Sequence, residues 1–262
     1  SSNHVIDIIK DRDGFMWFAT EEGLNRFDGS RFYTYYKKLD GTGISGNELS
    51  CLLADPHDPI IWIGTQREGL NAYNYLEEKF VYYRHNPKDP SSLITNDITD
   101  IAAARDGNIW ISTYWNGIEL FNKKTEKFTH FNKKTIQNLA SNQVWCIMDA
   151  GGDLLYVGHV EAGMSIINTR THTARNFRHN MVQPGSLSSD NINCIYQDRS
   201  GHIWIGTDSG LDLFNPIKEE FIHINAQGQL RYRVYAIAEM NDGRLFIGTE
   251  FGGITIINPK YP

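Results

Sequence analysis

The stretch Ile192–Asn215, INCIYQDRSGHIWIGTDSGLDLFN, predicts three short β-strands joined by two tight turns. Glycine at the corner of each turn supplies the backbone freedom that such turns need. The middle strand carries large apolar residues on both faces, which is typical of a strand with a neighbour on either side. The predicted strands are Ile192–Gln197, His202–Thr207 and Leu211–Asn215.

The same sequence motif recurs along the whole chain at intervals of 42 to 48 residues. Each copy is marked by a large aromatic residue in its middle strand: Trp17, Trp62, Trp110, Tyr156, Trp204 and Phe246. Four short strands per repeat, with only three in the last, are typical of an all-β fold, the β-propeller. We therefore predict a single β-propeller domain over 1–262, made of six four-stranded antiparallel repeats at about 5–48, 49–97, 98–143, 144–191, 192–233 and 234–262.

Composition excludes several classes of function. The formal charge of −6 offers no basic surface for nucleic acid. No apolar run approaches the roughly 20 residues that span a bilayer, and no signal peptide is visible. We expect no cofactor and no metal.

Two further repeat positions are polar or small. Cys51, Cys146 and Cys194 share one position in the first strand, where Asp7 and Asp100 stand in other repeats. A thiolate and carboxylate metal site is the alternative, but small residues packed between crowded strands are the simpler interpretation.

A polar residue recurs just before the first strand of each repeat: Asn3, Asn47, Asn96, Asn142 and Asp190, with Tyr232 as the exception. We expect these side chains to bind backbone in turns, although a ligand contact in a central channel stays open.

The middle-strand aromatics form one ring of equivalent positions. A sugar-stacking platform is conceivable there, but on a central strand such rings are the main packing between sheets. We interpret all six as structural anchors of the repeats.

The repeat resembles a known family. Its frame, V-x-x-I-x-x-D-x-x-G-x-I-W-I-G-T-x-x-G-L-x-x-F-N, is similar to the two-component regulator propeller repeat, and Asp11–Gly29 resembles the first repeat of such a sensor. The resemblance implies the periplasmic sensor region of a hybrid two-component histidine kinase of the glycan-responsive type, at its N-terminal propeller. In that family the ring usually has seven blades, so we expect six repeats to form an arc of a larger ring rather than a closed disc.

Enzymatic motifs are absent from the sequence. Asp198 lies three residues before Gly201, and Asp11 three before Gly14, so the Asp box of sialidase propellers is out of register. No serine-nucleophile, zinc-protease or paired-cysteine motif is present. A propeller lyase or hydrolase with groups drawn from separate blades stays open as an alternative, as does a structural or dimerisation module.

The turn between the second and third strands keeps a fixed frame, Thr before and Gly after, while its tip varies. Variable tips on a fixed frame are common sites of binding specificity. The tip Tyr114-Trp115-Asn116 alone has adjacent aromatics, and an indole face suits the apolar face of a pyranose. The predicted ligand-binding residues are Trp115, Tyr114, Asn116, Arg67, Phe251 and Glu161.

The tips also carry several acidic side chains, which disfavour a strongly anionic sugar at their centre. We expect an oligosaccharide or other small glycan as ligand, with neighbouring domains of the same polypeptide and a homodimer of the parent sensor as further partners.

Overall fold

The computed structural model describes residues 2–225, 228 and 230–260, and about half of them belong to β-sheets. The chain divides into two compact units, the first ending at Phe131 and the second beginning at Asn132. Each sheet is an antiparallel meander in which consecutive strands pair with each other. These meanders are the blades of a β-propeller, as the repeat predicts.

The first unit holds three four-stranded sheets. Sheet 1 consists of β1 (Val5–Lys10), β2 (Met16–Thr20), β3 (Gly23–Phe27) and β4 (Phe32–Tyr35). Sheet 2 consists of β5 (Leu49–Ala54), β6 (Ile60–Thr65), β7 (Leu70–Asn74) and β8 (Lys79–Tyr83). Sheet 3 consists of β9 (Ile98–Ala103), β10 (Ile109–Thr113), β11 (Gly117–Asn122) and β12 (Lys127–Phe131).

The second unit holds two four-stranded sheets and, among the residues described, a three-stranded one. Sheet 4 consists of β13 (Val144–Gly151), β14 (Leu154–His159), β15 (Met164–Asn168) and β16 (Thr173–Phe177). Sheet 5 consists of β17 (Ile192–Gln197), β18 (Ile203–Thr207), β19 (Gly210–Asn215) and β20 (Glu220–Ile224). Sheet 6 consists of β21 (Val234–Glu239), β22 (Leu245–Thr249) and β23 (Gly253–Ile257).

Within each unit, apolar clusters lie between successive sheets. One anchor aromatic stands in each cluster and packs against the following sheet: Trp17 on sheet 2, Trp62 on sheet 3, Tyr156 on sheet 5 and Trp204 on sheet 6. All four side chains are buried, so a large part of the sheet-to-sheet packing rests on one residue type at one repeat position. Phe246 departs from this expectation, because its side chain is 36% exposed.

Three of the anchor tryptophans are also held by a hydrogen bond. The indole Nε1–H donates to a buried carboxylate in the preceding turn: Trp17 to Asp11 at 2.7 Å, Trp62 to Asp55 at 2.8 Å and Trp204 to Asp198 at 3.0 Å. The other oxygen of each carboxylate accepts backbone N–H groups of the turn. The Asp and the Trp therefore form one structural unit, although their spacing differs from that of the sialidase box.

The frame of the variable turn follows from two constraints, which sheet 2 illustrates. The Thr65 hydroxyl donates to the Gly69 carbonyl at 2.7 Å and accepts the N–H of Glu68 at 2.9 Å, which closes the turn. Gly69 has a φ of 81°, and a side chain there would collide with the Tyr83 carbonyl oxygen. These two contacts explain why Thr and Gly recur at the ends of the turn.

Sheet 4 carries His159 where other sheets carry the threonine. The ring is fully buried, with Nε2 at 2.7 Å from the Ser165 Oγ and Nδ1 at 3.3 Å from the Gln143 carbonyl. Burial lowers the pKa of His159 to about 4, so the ring is neutral at pH 7.

In sheets 2 to 5 the Asn or Asp just before the first strand binds the connector that comes from the preceding sheet. Its side-chain oxygen accepts a backbone N–H from just beyond the previous sheet: Lys37 to Asn47, His85 to Asn96, Lys133 to Asn142 and His179 to Asp190, at 2.7 to 2.8 Å. The sequence pattern predicts backbone binding, and the structure shows that the partner is the connector rather than the residue's own turn.

The cysteine position is a packing position. Each thiol lies against the glycine of the neighbouring strand, Cys51 on Gly64, Cys146 on Gly158 and Cys194 on Gly206, where a larger residue would collide with Sγ. Burial raises the pKa of the Cys51 thiol, so the group is protonated at neutral pH. The equivalent Asp7 uses its carboxylate to accept the Leu52 N–H of the next sheet at 2.8 Å.

Candidate functional site

The aromatic tip of sheet 3 projects from the first unit. Trp115 is 60% exposed, and its ring meets that of Tyr114 edge to face with centroids 4.9 Å apart. The Asn116 N–H donates to the Thr113 hydroxyl at 3.1 Å, which holds the turn while leaving the indole outside. An exposed, oriented indole beside a second ring is suited to stacking on a sugar.

Arg67 lies on the equivalent turn of sheet 2, also in the first unit. Its guanidinium is exposed. Burial raises the pKa of Asp97, and the nearby charge of Arg67 lowers that pKa by a smaller amount. The next residue, Glu68, is tied to Lys37 at 3.0 Å and to Arg84 at 2.8 Å. These ion pairs neutralise Glu68, so Arg67 is the cation that this tip presents.

The remaining two predicted residues belong to the second unit. Phe251 is 78% exposed on the turn of sheet 6, where its ring meets Tyr232 edge to face with centroids 6.2 Å apart. Glu161 lies on the turn of sheet 4, where its N–H donates to Asn191 Oδ1 at 2.7 Å. The six predicted residues are thus all on turns, four in the first unit and two in the second.

The structure adds a position that the sequence pattern does not reveal. In every sheet the first strand has a β-bulge, a register shift at its second residue, between Leu49 and Cys51 in sheet 2 and between Ile192 and Cys194 in sheet 5. Bulges re-aim one side chain and are common beside functional sites. The bulged residues are Ile6, Ser50 and Thr99 in the first unit and Trp145, Asn193 and Tyr235 in the second.

A charged network joins two of the bulged residues in the second unit. Asp208, on the turn of sheet 5, accepts from Asn193 Nδ2 at 3.0 Å and pairs with the Arg233 Nε at 2.7 Å. Arg233 also donates to the Tyr235 hydroxyl at 3.0 Å, and its pKa is raised by that contact and by Asp208. The network therefore holds an amide, a carboxylate, a guanidinium and a phenol in one place.

Buried carboxylates on the third strands of sheets 3 and 5 bind the connectors that precede these sheets. Glu119 accepts the Ile94 N–H with both oxygens at 3.1 Å, and its Oε2 lies 3.1 Å from His130 Nδ1. The other ring nitrogen of His130 lies 2.9 Å from the Pro90 carbonyl. Burial raises the pKa of Glu119, and the contact with Glu119 raises the pKa of His130. The role is structural, because both groups fasten the same connector.

Sheet 5 repeats this arrangement less tightly. Asp212 accepts the Ser188 N–H at 2.8 Å, but its Oδ1 is 3.6 Å from His223 and has no hydrogen-bond partner among the residues described. A cavity of about 290 Å³ opens there, lined also by Ser209 and Arg231.

Among the residues described, no three His, Cys, Asp or Glu side chains are placed to hold a metal ion. In the same part of the chain no helix has the length and apolarity to cross a membrane.

Known proteins with a similar sequence or structure also contain propeller repeats. The two-component regulator propeller family model matches residues 1–22, 92–115 and 186–209. The extracellular domain of a hybrid two-component system from B. thetaiotaomicron is 45% identical over 99% of this chain, with a TM-score of 0.89. This chain belongs to the two-component regulator propeller family. It spans 34% of the length of that extracellular domain.

Two more distant solved structures share the propeller fold alone. The extracellular domain of a second hybrid system from the same organism is 19% identical over 98% of the chain and 42% of its own length, with a TM-score of 0.67. Streptogramin B lyase is 14% identical over 96% of the chain and 77% of its own length, also with a TM-score of 0.67. No curated protein matches the chain.

Proposed function

We propose that this two-component regulator propeller is a ligand-sensing module in the periplasmic part of a hybrid two-component histidine kinase, and that it binds a carbohydrate-derived signal without cleaving it. The observation that supports this most strongly is the 45% identity, over 99% of the chain, to an extracellular domain of such a system. The exposed rings of Trp115 and Phe251 and the partly buried Asn116 amide supply the type of surface that a neutral sugar binds.

The signal is relayed through packing. Each anchor aromatic and each fastened connector makes the sheets of a unit rigid, so binding at a turn changes how the module packs on its partners rather than its interior. The partners are neighbouring domains of the same polypeptide, and a second copy of the parent sensor.

A carbohydrate array followed by titration tests the proposal. We expect at least one oligosaccharide to bind the 262-residue chain and to be recovered intact after prolonged incubation. Trp115→Ala should lower the affinity roughly tenfold, about 1.4 kcal/mol, because the stacking face is lost. The melting temperature should stay unchanged, because Trp115 is 60% exposed.

Phe32→Ala is the matched control, since Phe32 is 62% exposed on the outer strand β4 and lies on no turn tip. Its affinity should equal that of the wild type. Cleavage of the bound oligosaccharide would favour a glycan-active enzyme instead, and silence of the whole array would favour a structural module. An affinity unaffected by Trp115→Ala would remove this residue from the site.

A further inference from the structure

We propose that the bulged residues of the second unit, Trp145, Asn193 and Tyr235, form a contact surface for a neutral sugar ring. The inference rests on the proposed carbohydrate-sensing function and adds to it a second contact surface, which lies on the first strands of the sheets.

The backbone places the three residues in one row. Each occupies the bulge of a first strand, and β13, β17 and β21 pack side by side in that order. In sheets 4 and 5 the residue after the bulge, Cys146 or Cys194, packs against the glycine of the neighbouring strand. The bulged residue therefore faces away from that packing, along the row of first strands.

Two large aromatics in this row are exposed. Trp145 is 43% exposed and Tyr235 is 48% exposed, whereas the residues before them, Val144 and Val234, are fully buried. Exposed rings on the first strand of a sheet leave apolar area in water, and a sugar with an apolar C–H face covers such area favourably.

The polar groups between the rings are oriented in advance. Asn193 Nδ2 donates to Asp208 at 3.0 Å, while its Oδ1 accepts no hydrogen bond from a described residue. A second amide, Asn191, also donates to Asp208, at 3.1 Å. The Asn193 amide is thereby fixed with an acceptor atom available to a sugar hydroxyl.

The charges select a neutral ring over an anionic one. Arg233, the cation of this network, is already paired with Asp208 at 2.7 Å and lies 3.9 Å from Glu250. Its Nη1 is engaged by the Tyr235 hydroxyl. A carboxylate or sulfate on the ligand would meet two acidic side chains and a cation that is already neutralised.

The first unit provides the comparison. At the same bulged position it carries Ile6, Ser50 and Thr99, which include no aromatic ring. The β-bulge occurs at the same position in both units, but only in the second unit do the bulged residues combine two exposed rings with an amide.

Saturation-transfer NMR on the 262-residue chain tests the inference, with maltose, cellobiose, xylobiose and diacetylchitobiose as neutral probes and digalacturonate as the anionic one. We expect transfer to at least one neutral disaccharide and none to digalacturonate. Trp145→Ala and Tyr235→Ala should each lower the affinity roughly tenfold, about 1.4 kcal/mol. Asn193→Ala should lower it by less. Ile6→Ala and Thr99→Ala, at the same position of the first unit, should leave it unchanged.

The outcomes separate this inference from the proposed function. Binding of a neutral sugar that survives both Trp145→Ala and Tyr235→Ala overturns the site and leaves carbohydrate sensing intact. Binding of digalacturonate in preference to the neutral probes overturns the ligand class. Absence of transfer to all five probes overturns this site, while an array hit with a longer glycan would still uphold sensing. If Trp145→Ala does not fold, Tyr235→Ala carries the test, because its ring is 48% exposed.

Discussion

The first three strands of sheets 5 and 6 follow the same pattern but have different surroundings. Trp204 of sheet 5 is fully buried, in a cluster with Val234 and Leu245 of sheet 6. Phe246 holds the equivalent position in sheet 6 and is 36% exposed, because within the second unit no described sheet follows to cover it. The repeat therefore sets the position of the anchor residue in its sheet, whereas the neighbouring sheet sets how much that residue contributes to the stability of the fold.

The largest expected effect is at the covered anchor. Trp204→Ala should lower the free energy of unfolding by roughly 3–5 kcal/mol, because it leaves a cavity in a packed interface. It also removes the indole donor from the Asp198 carboxylate, which is buried. Denaturant unfolding followed by circular dichroism measures the change.

Phe246→Ala is the matched variant, and its cost should be nearer 1 kcal/mol. If the two variants lose equal stability, then cover by a neighbouring sheet does not set the contribution of the anchor. A Trp204→Ala protein that melts with the wild type would refute the packing account of the anchors.

The next effect is a dependence on pH at His159, which replaces the threonine found as Thr207 in sheet 5. The pKa of the folded ring, about 4, lies below its ordinary 6.5, so the unfolded chain binds the proton more readily. Stability from this site is fully present above pH 6.5 and is lost as the pH falls towards 4, by about 3 kcal/mol. Unfolding curves measured between pH 7 and pH 4 report this loss.

His159→Thr is the control, because it restores the residue that closes the turn in the other sheets. Its stability should fall less steeply over the same pH range. Equal slopes for wild type and variant would show that His159 is not buried as a neutral ring.

The fold could be predicted well because its signals are local and repeated. Strand Ile192–Gln197 forms with its expected bounds, and the strands predicted at His202–Thr207 and Leu211–Asn215 begin at Ile203 and Gly210, a difference of one residue each. Burial of Phe246 could not be predicted in this way, because it depends on what lies beyond the sheet. The spacing of Asp198 and Trp204 is visible in the sequence, but it differs from that of the sialidase Asp box, so similarity to that box does not reveal their hydrogen bond.

The candidate site could be predicted only in part. The turn tips are visible in sequence as variable residues on a fixed frame, and Trp115 is exposed as expected. The row of bulged residues in the second unit cannot be recognised in the sequence. Trp145, Asn193 and Tyr235 share no residue type, and no glycine marks the bulge. Side chains at a position defined only by backbone register need the three-dimensional structure to be recognised.

The central claim is that the repeated positions build a rigid scaffold and the variable positions bind sugar. Hydrogen exchange of the chain, with and without a pool of neutral oligosaccharides, tests it most directly. The account predicts added protection in the turns and first strands, around 114–116, 145, 193 and 235, and no change in the middle strands that carry the anchors. Protection confined to the middle strands, or none anywhere, would contradict it.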